Sequence, residues 1–201
     1  LENVDALYEA GFRMMAPTHF FDNQLGGSAH GMEKYGITDF GKAVIERMEQ
    51  LHILLDLAHS SRKLFDDSVG IATRPIVVSH GGVKGTCDNL RTLSDDQLRA
   101  IAAKNGVVGI GFWETATCGK DAASIVKSIQ YAIGVAGIDH VGLGSDWDGA
   151  TETPFDATGV ALITQGLLEA GMSPEDIGKV IGMNTLRVLL ESLPSENDHP
   201  V

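Results

Sequence analysis

Cysteine is scarce: the 201-residue chain has two. That count excludes a disulfide framework and leaves the redox compartment open. Basic residues are also few, with 15 Lys and Arg against 27 Asp and Glu and a formal net charge of −12. A nucleic-acid backbone or an anionic membrane would repel such a chain unless its basic residues gathered on one face, and no Lys/Arg cluster occurs. No apolar run approaches the roughly 18 residues a membrane-spanning helix requires. The patterns G-x-G-x-x-G, G-x-x-x-x-G-K-[ST] and G-x-S-x-G are missing, which removes dinucleotide-binding, P-loop and serine-hydrolase readings. The chain opens on Leu1 with neither an initiator Met nor a signal segment, so the natural start is expected upstream.

What is present is a globular composition, 43% apolar and 21% charged, long enough to bury a sizeable core. One domain over 1–193 and a polar tail over 194–201 are expected. We expect a soluble protein of the bacterial cytoplasm or periplasm, although the compartment itself is not legible.

Two short runs organise the chain: ILLDLAHSS (Ile53 to Ser61) and PIVVSHGG (Pro75 to Gly82). Unbroken apolar runs of this length read as parallel strands covered on both faces. The helix-length stretch between them makes a strand–helix–strand unit, which places His59 and His80 at one rim. Two neutral imidazoles there form half of a zinc site. Further strands are predicted over 12–17, delivering Thr18 and His19 to a glycine-rich loop (20–36), over 107–113, and over 140–144, the last breaking into Asp146. Helices are predicted from the Thr38 cap, over 95–104 and 122–135, over 156–170 closed by Gly171, and from Ser173-Pro174 to about Leu193. This is an α/β pattern of five β/α units. Polar candidates follow every strand, which favours part of a (β/α)8 TIM-type barrel over an open sheet with one switch point.

The chemistry-bearing set is His19, His59, His80, Arg91 and Asp146. Zinc hydrolysis requires imidazole or carboxylate ligands, an acidified water and a group that hands a proton to the leaving amine. Asp146 suits the last role or a ligand role, and equally a turn carboxylate. Asp146-Trp147-Asp148-Gly149 is not an EF-hand, because its glycine comes too early and Ala150 fills the third ligand position. Arg91 suits a substrate carboxylate, while an ion pair with Asp88, Asp95 or Asp96 fits its spacing as well. His30 reads as a solvated loop residue. Cys87 and Cys118 follow adjacent strands, and a disulfide and two free thiols are both compatible with that.

With these residues in place the sequence resembles the membrane dipeptidase (renal dipeptidase) family of metal-dependent barrel hydrolases. The carrying motifs are Thr18-His19, Leu55-Asp56-Leu57-Ala58-His59-Ser60, Val78-Ser79-His80, Asn89-Leu90-Arg91, Ser94-Asp95-Asp96, Gly144 to Gly149, and Gly182 to Leu189. The resemblance implies two zinc ions per complete enzyme, with His59 and His80 as ligands of one. It further implies Asp146 as catalytic acid/base, His19 against the substrate carbonyl and its oxyanion, and Arg91 on the substrate carboxylate. The reaction implied is dipeptide hydrolysis by a metal-bridging hydroxide, with tolerance for a carboxyl-terminal D-residue. The family's His-x-Asp pair and bridging glutamate are not found before His19, so the chain resembles the carboxyl-terminal five-eighths of such an enzyme. Alone it is expected to be nearly inactive and to self-associate over its open edges. Competing readings are a lactonase or deaminase on the same barrel, or a non-catalytic half-barrel that serves as a binding module.

Overall fold

The computed structural model describes residues 1–194, so the expected polar tail lies, past Pro194, outside the described residues. The chain divides into two compact units, Leu1–Val77 with the chain from Arg187, and Val78–Leu186.

In the first unit, helix α1 (Glu2–Glu9) leads through Gly11, at φ +97°, to strand β1 (Met14–Met15). Glycine is needed at that turn because a side chain would be strained at such a φ. Helix α2 (Asp39–Gln50) starts where Thr38 Oγ1 accepts the Gly41 N–H at 2.9 Å. This cap satisfies a backbone donor that the first helical turn leaves over. Strand β2 (Leu54–Asp56) lies parallel to β1 with Met14 opposite Leu54, and strand β3 (Ile76–Val83) begins parallel to β2 with Leu55 opposite Ile76. Between β2 and β3 runs helix α3 (Arg62–Ile71), capped by Ser61. Every residue of β2 is buried, which is why its run lacks alternation. Ile45 and Met48 of α2 and Leu64 and Phe65 of α3 are all but inaccessible, and each such burial is worth roughly 1.5–3 kcal/mol.

In the second unit β3 continues to Val83, and a short strand β4 (Thr92–Leu93) pairs with its end, Gly82 opposite Thr92. Helix α4 (Asp95–Ala103) carries a reciprocal Ser94/Gln97 cap. Strand β5 (Val107–Ile110) joins β3 through Gly111 N–H donating to Gly81 O at 2.7 Å. A single turn α5 (Glu114–Thr117) and helix α6 (Ala122–Ala136) follow, then strand β6 (Val141–Leu143), parallel to β5 with Val108 opposite Val141. Helices α7 (Val160–Glu169) and α8 (Pro174–Gly178) precede a π-helical stretch, Lys179–Met183, that runs into α9 (Asn184–Ser192). Asn184, 3% exposed, donates through Nδ2 to Ile138 O and Val141 O at 2.7 and 2.8 Å. The loosened turn therefore seats a buried amide on the entry to β6.

The sheet of this unit is strongly curled. A Cβ added to Gly144, just past β6, would lie 2.3 Å from Ser79 O on β3, and one added to Gly109 of β5 would lie 2.2 Å from the same oxygen. Strands two apart in a flat sheet are separated by about 9.5 Å. Backbone atoms of β3 and β6 meet only because the strands wrap inward, and glycine at both positions allows it. The unit is thus α/β with parallel strands and the curvature of a barrel segment. Among the described residues no helix is long and apolar enough to cross a membrane.

Three elements depart from their sequence reading. β3 runs past His80 to Val83 because β4 extends the ladder, so His80 sits inside a strand and not at its end. Two further elements fall where no strand or helix is predicted, β4 between the strands over 75–82 and 107–113, and α5 between the strand over 107–113 and the helix over 122–135.

Candidate active site

In the first unit the site residues belong to two stretches that leave β1 and β2. His59 lies three residues past β2, buried, at φ +63°. Left-handed backbone is uncommon away from glycine, and here it is fixed by a bridge between Ser28 and Ser60 and by Ala29 N–H donating to His59 O at 2.7 Å. The same bond docks the long loop after β1. Asp22 organises that loop, its carboxylate accepting from Ser28 N at 2.8 Å, Glu33 N at 2.9 Å and Lys34 N at 3.4 Å. The bond from Glu33 leads the causes that hold the Asp22 carboxyl below the usual carboxylate range. The result is a cluster of rings: His19 and His59 with centroids 4.2 Å apart, His30 and His59 at 5.7 Å, and Phe20 at 4.3 Å from His19. His30, exposed as expected for a loop residue, nonetheless joins the cluster.

In the second unit His80 and Asp146 come together, Nε2 to Oδ1 at 3.8 Å, each side chain 18% exposed. Ser79 Oγ lies 2.8 Å from His80 Nδ1 and fixes the ring. Asp146 is the second non-glycine residue in left-handed backbone at a candidate position, φ +60°, and Thr151 Oγ1 donates to its carbonyl at 3.0 Å. Trp113, buried, stands beside both remaining groups: its ring lies 5.9 Å from the His80 ring, and the Arg91 guanidinium carbon sits 5.9 Å from its centroid. Of the acids near Arg91 in sequence, Asp88 pairs with Lys84 at 3.3 Å, and Asp95 and Asp96 pair with Arg99 at 3.8 and 3.2 Å.

Cys87 and Cys118 are joined in a disulfide, so the free-thiol alternative does not hold. The bridge links the segment carrying Arg91 to the one carrying Trp113. Asn89 adds a second tie, its Nδ2 donating to Thr115 O at 2.7 Å. Sequence reasoning had no place for Trp113 beyond the end of a strand, although an aromatic residue directly after an apolar strand run is the available signal.

Residues 1–198 match the model of the membrane dipeptidase family, peptidase family M19. The chain belongs to that family. Relatives include the dipeptidase aclJ of Aspergillus oryzae, 30% identical over 95% of this chain and 50% of its own length. An uncharacterised Klebsiella pneumoniae protein from the pqqA 5′ region is 33% identical over 93% of this chain and 74% of its own. A solved metallopeptidase from Rhodobacter sphaeroides, liganded with a phosphinate mimic of L-Ala-D-Ala, superposes with a TM-score of 0.88 at 26% identity, over 96% of this chain and 59% of that one. The chain thus spans about half the length of the Aspergillus dipeptidase and three-fifths of the solved metallopeptidase.

The family implies a metal, and the donor chemistry at hand suits one. His59 in the first unit and His80 in the second each offer an imidazole, and two buried hydroxyl oxygens of the first unit, Thr18 Oγ1 and Ser60 Oγ, have no hydrogen-bond partner among the described residues. The number of donors falls short: no group of three or more His, Cys, Asp or Glu side chains able to hold a metal is assembled among the described residues.

Proposed function

We propose that this membrane dipeptidase chain contributes to zinc-dependent hydrolysis of dipeptides, those with a carboxyl-terminal D-residue included. The carrying observation is the His80–Asp146 pair at 3.8 Å, with Arg91 against Trp113 beside it, in a chain of this family. His59 and His80 each offer an imidazole ligand. For His80 the Ser79 contact at Nδ1 orients the ring. When bound, zinc supplies an acidified water and polarises the scissile carbonyl.

The rest is done by side chains. Asp146 takes the proton of the attacking water and delivers it to the leaving amine, so one carboxyl acts as base and then as acid. Arg91, planar and always charged, grips the substrate's terminal carboxylate through paired N–H donors, its guanidinium carbon 5.9 Å from the centre of the Trp113 ring. His19, exposed at the rim, donates to the carbonyl oxygen as negative charge develops there. The isolated 201-residue chain is expected to be feebly active, in keeping with imidazole donors that do not amount to a three-ligand set.

The test uses the full-length protein: zinc by elemental analysis, and release of amino acids from simple dipeptides before and after chelation. Activity lost with the chelator and regained with zinc supports the reading. A zinc-loaded full-length protein that cleaves no dipeptide overturns it. Arg91→Ala separates a dipeptidase from a lactonase, because only the former binds a free carboxylate and should show a raised KM.

A further inference from the structure

Trp113 also forms one wall of a cleft of about 480 Å³ whose lining includes Glu114, Lys120, Thr151, Glu152 and Pro154. The cleft lies wholly between the segment after β5 and the loop after β6. It adjoins the candidate site at two points: the Trp113 ring centre lies 5.9 Å from both the Arg91 guanidinium carbon and the His80 ring centre, and Thr151 is bonded to the Asp146 carbonyl. Its walls are mixed, with an indole and a proline ring for an aliphatic stem and three charged groups for its end. Those charges do not cancel. Glu114 pairs with Lys120 at 3.0 Å, and Glu152 adds a second carboxylate, leaving one net negative charge. Lys120 feels both acids: the Glu114 hydrogen bond, then the Glu114 charge, then that of Glu152 hold its ammonium above the usual range.

We infer that this cleft receives the side chain of the dipeptide's carboxyl-terminal residue and selects a basic one. This rests on the dipeptidase reading above, in which Arg91 anchors the adjacent carboxylate. A lysine or arginine side chain laid along Trp113 brings the cleft to neutrality, whereas a glutamate doubles its excess charge. Because these groups face solvent, the discrimination is modest, on the order of fivefold per exposed pair.

The experiment compares kcat/KM of the full-length protein for Gly-Lys, Gly-Gln and Gly-Glu, in both configurations of the second residue, for the native protein and Glu152→Lys. The native ratio of Gly-Lys to Gly-Glu is expected near five, and in Glu152→Lys it should invert to about one to five, because the substitution turns the excess negative charge into an equal positive one. Both tryptophans, Trp113 in the wall and Trp147 bonded to Thr153 of the lining, report on the cleft. Titrating their fluorescence in the Asp146→Asn protein with the same dipeptides should therefore give the same order of affinity without turnover. A native ratio near one, or a ratio that Glu152→Lys leaves alone while Gly-Gln is still cleaved, overturns the subsite and spares the dipeptidase reading. Failure to cleave any of the three overturns both.

Discussion

Replacing both Cys87 and Cys118 by serine removes the only covalent link in the second unit outside the backbone, and its cost can be worked from the loop that the bridge closes. The cysteines are 31 residues apart in sequence. In the chain-entropy treatment a loop of that length lowers the entropy of the unfolded chain by an amount worth roughly 3.7 kcal/mol at 25 °C. Cys87 is 2% exposed, so a serine hydroxyl there also enters a buried position and adds to the loss. Urea unfolding of the oxidised protein and of the double variant, with m-values compared, measures the difference. A loss of about 3–4 kcal/mol at unchanged m is expected. A loss under about 1 kcal/mol would refute the reasoning, because it would mean that Asn89 on Thr115 O and the β3–β4 pairing already hold the loop closed in the unfolded ensemble.

Asp146→Asn keeps the shape and removes the proton acceptor, so kcat for dipeptides should fall by about 10²- to 10⁴-fold with zinc content preserved. Steady-state kinetics alongside elemental analysis decides the matter, and an unchanged kcat excludes Asp146 as the acid/base. Asn184→Ala removes one buried and one part-buried bond, to the carbonyls of Val141 and Ile138, which should cost about 1–3 kcal/mol in the same urea experiment. The loop clamped by Asp22 should loosen in acid. Its folded pKa lies below the ordinary 3.8, so the stabilisation is complete above that value and is lost as pH falls through the folded one. Amide exchange at Ser28 and Glu33 should therefore accelerate below about pH 4 relative to other protected amides, and protection that does not change there would contradict the clamp.

How far the sequence could be read follows from what each element depends on. Strands β2, β3 and β5 were legible because full burial writes an unbroken apolar run, and α2, α4 and α8 because serine, threonine and proline mark their first turns. β4 was not, since two residues become a strand only by lying against the far end of β3. The left-handed backbone at His59 and Asp146 was equally hidden, because the docking bonds around each residue impose it against its own preference. Choosing His19, His59, His80, Arg91 and Asp146 needed only residue type and position after a strand. Their partners Ser79, Trp113 and Thr151 are set by packing among segments distant in sequence, which spacing does not encode.

The curl at Gly109 and Gly144 has a consequence for how a family built on this chain can diversify. Around Ser79 O, one residue before His80, backbone packs on backbone into a floor with no room for a Cβ at Gly109 or Gly144. A floor of that kind has nothing to enlarge, shrink or recharge by substitution, since any Cβ there strikes a carbonyl oxygen. New substrate preferences must then be written at the rim, in segments such as 113–120 and 146–155, while the reacting groups keep one fixed depth beneath them.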